Sequence, residues 1–241
     1  MLNERKTVLK ALVGSHNYGL ATPESDKDFK VFVLPTFDDL YHGKMYTKDT
    51  IGVEEDYDVH DIRKAVNLWW KSNLNFLEVL YSKQLNSYSQ EISKIIAMKK
   101  EIVRMNLPYL YNACKGMHFE KMKRLNKATE DTENLVEKYG YNTKEALHAY
   151  RILDFPVRFA ITNFEDFEWA MTYEGTTAQR MLDIKYGEYN REQYEELVSQ
   201  KCAHFRQLAK VYGSMIPNEE IKQEVESLIY KMILKNITKA K

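Results

Sequence analysis

Cysteine, proline and glycine are all scarce here, and charge of either sign cancels. Two cysteines in 241 residues, Cys114 and Cys202, exclude a disulfide framework and a cysteine-built zinc site. They point to a reducing compartment. Five prolines and nine glycines leave little material for long disordered linkers. Lysine plus arginine and aspartate plus glutamate number 35 each, for a formal net charge of zero. That argues against coating DNA or anionic membranes by bulk charge, and leaves room for a local basic groove. No apolar run approaches the ~20 residues of a membrane span. The opening MLNERKTVLK has no leader-like apolar core or cleavage pattern, so a cytoplasmic protein is expected. No internal repeat or low-complexity stretch is present.

What is present falls into two regimes. Up to about residue 60 the chain reads as strands and loops. Thr7 to Val13 is a β-tolerant run that stops at Gly14-Ser15. Asp28 to Leu34 alternates apolar residues at Phe29, Val31 and Val33, the period of a strand with one buried face. A shorter strand is expected over Asp56 to His60. From Ile62 the period becomes helical, with Ile62, Ala65, Val66, Trp69 and Trp70 on one face. Further helix starts are marked by Asn75 with Glu78, Ser87 with Gln90, Asn142 with Glu145 and Asn190 with Gln193, and by Pro108 and Pro217. Strands first and helices after predict an α+β chain. A sheet domain is expected over residues 1–85 and a helical domain over residues 86–241.

The stretch from Gly14 to Leu34, GSHNYGLATPESDKDFKVFVL, carries the chemistry. Side chains at i and i+2 of a strand share a face, so Asp26 and Asp28 are expected side by side. Two carboxylates held close repel unless a cation lies between them. A hard ion such as Mg²⁺ takes one or two carboxylates together with substrate phosphates. The Gly14-Ser15 turn offers backbone N–H groups and a hydroxyl where a bulky side chain would block a phosphate. A two-metal phosphoryl-transfer site needs a further carboxylate. Asp56 and Asp58 share a face on the next strand and both qualify, whereas Asp61 has the other parity and is expected to cap the helix that follows.

These residues resemble the DNA polymerase β-like nucleotidyltransferase superfamily, whose mark is Gly-Ser, a Ser-Asp-x-Asp pair about ten residues on, and a later-strand carboxylate. GSHNYGLATPESDKDF, DYDVHDIRKAVNLWWKSNLNFLEVLYS and KYGYNTKEALHAYRIL resemble its RNA-repair-pathway, or predicted nucleotidyltransferase, branch of bacteria and phages. Relatives in that branch read Asn-Pro after the first long helix, where this chain reads Asn73-Leu74-Asn75. The resemblance implies a polymerase β-like sheet domain followed by a mostly helical one. It implies Asp26, Asp28 and Asp56 as metal ligands, with Asp58 competing for the third place. Gly14, Ser15 and Ser25 fall in the nucleotide-binding turn. The reaction implied moves a nucleoside monophosphate from an NTP to an acceptor hydroxyl, with Mg²⁺ or Mn²⁺ and release of pyrophosphate. The acceptor is left open between an RNA end, tRNA, a protein hydroxyl and a small molecule, with no membrane partner.

A second constellation is Lys144, His148 and Arg151, which a helix places within about 60° of each other, opposite Leu147, Tyr150 and Leu153. It is read either as a stripe that reaches the nucleotide or as an ordinary solvated face. His60 and His118 read as structural or exposed rather than as metal ligands, Trp69 and Trp70 as core, and the tyrosines as core and rim. Two rival functions remain at this point. One is a non-catalytic nucleotide sensor or antitoxin-like partner of the same fold. The other is a nucleic-acid-binding module whose acids are incidental.

Overall fold

The computed structural model describes residues 5–23, 25–52, 55–129 and 132–239. Contacts divide the chain into two units, Met1–Asn106 with Pro217–Lys241, and Leu107–Ile216. The expected seam at residues 85/86 falls inside the first unit, and the last helix returns to that unit after the second is complete.

In the first unit, β1 (Thr7–Val13) leads through Gly14 into the short α1 (Ser15–Tyr18), then β2 (Lys27–Val33), α2 (Phe37–Tyr41), β3 (Thr47–Thr50) and β4 (Glu55–Asp61). Helices α3 (Arg63–Trp70) and α4 (Leu74–Leu77) and a 3₁₀ turn (Glu78–Tyr81) precede β5 (Leu85–Ser87), α5 (Gln90–Ala97) and α6 (Lys99–Arg104). The sheet order is β3-β4-β2-β1-β5, with β2 and β4 parallel and the other neighbours antiparallel. Alternation explains which face is covered. Phe32, fully buried, packs its ring near those of Trp69, Phe76 and His60, so the even-numbered face of β2 and β4 lies under helices. Burying one such aromatic is worth about 1.5–3 kcal/mol.

Two helix starts differ from the sequence reading. Asn73, not Asn75, caps α4, its side chain accepting the Asn75 N–H at 3.1 Å. Leu74 thus takes the first helical position. Ser89, not Ser87, caps α5 by accepting the Ile92 N–H at 3.1 Å. Asp61 does serve the start of α3: its Oδ1 accepts the Arg63 N–H at 2.9 Å.

The second unit holds α7 (Leu107–Lys123), α8 (Glu133–Tyr139), α9 (Thr143–Ile161), α10 (Phe167–Met171), α11 (Gly175–Lys185), α12 (Arg191–Gln207) and α13 (Ala209–Gly213). The final helix, α14 (Glu219–Lys239), belongs to the first unit and packs on α3 and α5. Helix α9 is the hub of the second unit, contacted by α7, α8, α10, α11 and α12. The caps of α9 and α12 are as read: Asn142 accepts the Glu145 N–H at 3.1 Å, and Asn190 with Gln193 forms a reciprocal capping box on α12. The Tyr194 and Tyr212 hydroxyls donate to the carbonyls of Ala146 and Pro156 at 2.9 and 2.7 Å, which lets large amphipathic rings fill this core. Among the described residues no helix is long and apolar enough to cross a membrane.

Candidate active site

Gly14 ends β1 with φ 72° and ψ −149°, a backbone region essentially confined to glycine. A Cβ built there would lie 2.5 Å from Asp28 Oδ2. The missing side chain is what lets the Asp28 carboxylate close over the turn, and Val13 and Asp28 are register partners across β1 and β2.

The turn is held from below by a residue that sequence reasoning missed. Glu78 is 3% exposed. Its Oε2 accepts the Gly14 N–H at 3.3 Å and its Oε1 accepts the Tyr18 hydroxyl at 2.6 Å. The available signal was an acid inside the apolar run Leu77-Glu78-Val79-Leu80, since a buried carboxylate needs hydrogen-bonding partners. His16 was also missed. Its Nε2 lies 3.0 Å from the Ser25 carbonyl oxygen, tying α1 to the segment that leads into β2. The Ser25 hydroxyl accepts the Thr22 N–H at 2.9 Å, so it shapes the turn ahead of the acids.

Asp26 lies one residue before β2 and is exposed, while Asp28 is within β2 and half-buried. Asp28 is the direct register partner of Asp56 on the parallel strand β4. Adjacent strands run about 4.8 Å apart, so these two carboxylates leave neighbouring backbones on one face. Asp56 Oδ1 also accepts the Gly52 N–H at 3.0 Å.

Asp58, the rival for the third position, shares that face but is already engaged. Its Oδ2 accepts from Lys30 Nζ at 2.6 Å, and its Oδ1 lies 2.7 Å from His60 Nε2. Burial raises the Asp58 pKa, but the contacts with His60 and Lys30 outweigh it and hold the carboxyl well below the ordinary range. Lys30 Nζ in turn lies 4.6 Å from the Phe76 ring centroid. The Lys30–Asp58–His60 cluster therefore joins the sheet to the helix-side aromatics.

The expected polar stripe on α9 takes a different form. Lys144 is exposed, His148 is partly exposed, and Arg151 is buried at 3%. The three do not make a uniform solvated face, because α9 is surrounded by neighbours on most sides. Two other buried charges of α9, Asp154 and Arg158, find partners within the second unit. Lys201 Nζ meets Asp154 Oδ1 at 2.6 Å, and Arg158 donates to the Thr172 carbonyl at 2.7 Å. These replace the purely apolar interior that a single-sided pattern predicts.

Among the described residues no three His, Cys, Asp or Glu side chains converge as a metal-binding group. The fit to a hard divalent ion rests instead on the Asp28–Asp56 pair. Both donors are carboxylate oxygens, and the space beside Asp28 Oδ2 is one that a side chain at position 14 would fill. One or two carboxylates plus substrate phosphates is the usual donor set of Mg²⁺.

A five-stranded mixed sheet, a glycine turn at the end of its first strand and acids at the head of its second define a polymerase β-type nucleotidyltransferase-like domain. The family comparison is more specific: the chain belongs to RlaP, the RNA repair pathway DNA polymerase beta family, whose model matches residues 2–155. A 40-residue stretch is also 50% identical to an uncharacterised 38.9 kDa protein from the nrdC-mobD intergenic region of Enterobacteria phage T4. That stretch covers 17% of this chain and spans 12% of the phage protein's length.

Proposed function

We propose that the protein is a Mg²⁺- or Mn²⁺-dependent nucleotidyltransferase that moves a nucleoside monophosphate from an NTP to an acceptor hydroxyl, with an RNA end as the acceptor. The observation that carries this reading is the register of Asp28 with Asp56 beside a position where only glycine fits. Family membership supports a nucleotide substrate, and the family's description favours RNA.

In this reading the Asp28–Asp56 pair would hold the metal, and Asp26, exposed ahead of β2, would join it once the triphosphate is bound. Asp58 stays in its structural cluster with Lys30 and His60. The bound divalent ion supplies Lewis-acid stabilisation of charge on the phosphate oxygens. Gly14 keeps the space beside Asp28 open, and Glu78 fixes the turn so that Ser15 and its backbone face the triphosphate. The acceptor oxygen bonds to the α-phosphorus as the bond to the β-phosphate bridging oxygen breaks. Pyrophosphate leaves with that electron pair, and the acceptor's proton passes to a carboxylate of the Asp28–Asp56 pair. Such sites work by position and charge more than by covalent side-chain chemistry.

The test is incubation with α-³²P-labelled NTPs, Mg²⁺ or Mn²⁺ and pooled RNA, repeated with Asp28→Asn. Label is expected to enter RNA with the native protein and to fall by roughly 10²-fold or more in the variant, in line with losses of electrostatic transition-state stabilisation. Equal labelling by both proteins would contradict the proposal. So would tight NTP binding with no transfer to any acceptor, which is the behaviour of a sensor.

A further inference from the structure

The face of the sheet opposite Asp28 and Asp56 carries a groove of about 590 Å³ floored by the valines of β2 and β4. Its walls are Lys6, Lys10 and Lys48 with Tyr46, Tyr57 and Tyr88. Parity sets the face: Tyr57 alternates with Asp56 and Asp58 along β4, and Lys10 and Lys48 are register partners of Val31 and Val59. Two smaller depressions continue it. One of about 330 Å³ shares Lys6 and Tyr88 and adds Lys235, and one of about 570 Å³ shares Tyr88 and adds Lys94. All lie within the first unit, and Tyr88, which is 52% exposed, borders all three.

The composition of this track is unlike that of the chain. The whole protein has no net charge, yet the largest depression is lined by three lysines and no acid. Glu55 stands at its rim, 3.9 Å from Lys10 Nζ, and Glu91 pairs with Lys235 farther along. Cations and rings are layered: Arg5 sits 4.0 Å above Tyr46, and Lys10 Nζ lies 3.9 Å from the Phe29 centroid and 4.7 Å from that of Tyr57. Lysines at intervals along an aromatic-bearing groove match a ligand with repeated negative charge and flat apolar faces. Three contiguous depressions are more than a mononucleotide needs. A run of acidic residues would satisfy the lysines but brings no aromatic ring to Tyr88.

We propose that this tyrosine-centred basic track binds single-stranded RNA, as an anchoring site on the reverse of the sheet from the nucleotidyl-transfer centre. The choice of RNA rests on the proposed function above. The track holds the body of the acceptor strand by phosphate contacts at Lys6 and Lys48 and by stacking of a base on Tyr88.

The experiment measures fluorescence anisotropy of a labelled 20-nucleotide oligouridylate across a salt series, with polyglutamate as competitor. The native protein is compared with K6E/K48E, the milder K6Q/K48Q, and Tyr88→Ala. Circular dichroism confirms folding, and label transfer to a dinucleotide acceptor reads the catalytic centre. The expected result is a loss of RNA affinity on the order of 10-fold in each variant. The salt slope in K6Q/K48Q is expected to fall by roughly 1.4, at about 0.7 per lost phosphate contact. Transfer to the dinucleotide stays unchanged. Unaltered RNA affinity in the lysine variants overturns the proposal, as does polyglutamate competing equally well while Tyr88→Ala has no effect. Track-dependent RNA binding without any nucleotidyl transfer upholds the track and refutes the proposed function. Transfer to RNA with affinity untouched by these substitutions does the reverse.

Discussion

Gly14 joins two constraints, a backbone conformation closed to other residues and a close approach to the Asp28 carboxylate. Gly14→Ala is expected to destabilise the protein by about 1–3 kcal/mol through the strained backbone and to push the Asp28 carboxylate away from its register partner. Label transfer should fall at least as far as in Asp28→Asn, and a denaturant titration should show the lower stability. Native-like transfer in Gly14→Ala would show that the close approach at this turn is incidental. At this scale the sequence is informative where a residue type is demanded by local geometry, as at Gly14. It is silent where a role depends on a distant partner. Nothing near Asp58 in the chain announces that Lys30 will neutralise it, because that pair forms only once β2 and β4 are in register. Glu78 reaches Gly14 across 64 residues.

Elements with strong periodicity were legible, and short ones were not. β2 follows from a period-two run, β1 from a β-tolerant run and β4 from a short expected strand, and all three lie within a residue of where the sequence places them. β3, β5, α1 and α2 have three to five residues each, too few for a period, and β3 is exposed throughout. Short, polar edge strands are also what resists unwanted pairing. Helix α9 was found with the right cap and the wrong environment. Arg151, read with Lys144 and His148 as either a nucleotide-reaching stripe or a solvated face, is buried once the partner helices are in place. The cap itself is testable. Asn142→Ala removes the acceptor for the Glu145 N–H and should lower unfolding free energy by about 1 kcal/mol in a urea titration. An unchanged midpoint would show that the N-terminus of α9 is held by its neighbours alone.

For the molecule as a whole, the last helix belongs with the first unit although the second lies between them in the chain. Hydropathy along a chain is local, whereas α14 rejoins the first unit after an excursion of some hundred residues. Stability against pH is another property of the assembled chain, and it involves His148, which stays partly exposed while the rest of it is enclosed by the second unit. Burial, followed by the nearby cations Arg151, Lys121 and Lys144, lowers the His148 pKa to about 3. In the unfolded chain the imidazole protonates near its ordinary value of about 6.5. The unfolded state therefore binds the extra proton between those values, and folded stability falls as pH drops through that window. His148→Gln should flatten this dependence between about pH 6.5 and pH 4.5, above the range where paired carboxylates titrate. Urea midpoints at the two pH values measure it, and parallel shifts in variant and native protein would refute the assignment.

The account depends most on Asp28 and Asp56 acting together on a divalent ion and a triphosphate. Electron paramagnetic resonance of Mn²⁺ with a non-hydrolysable NTP analogue measures this without any assumption about the acceptor. The native protein is expected to take up Mn²⁺ in an analogue-dependent manner, with uptake lost in Asp28→Asn and in Asp56→Asn but kept in Asp58→Asn wherever that variant folds. Equal uptake by the native protein and Asp28→Asn would contradict the account.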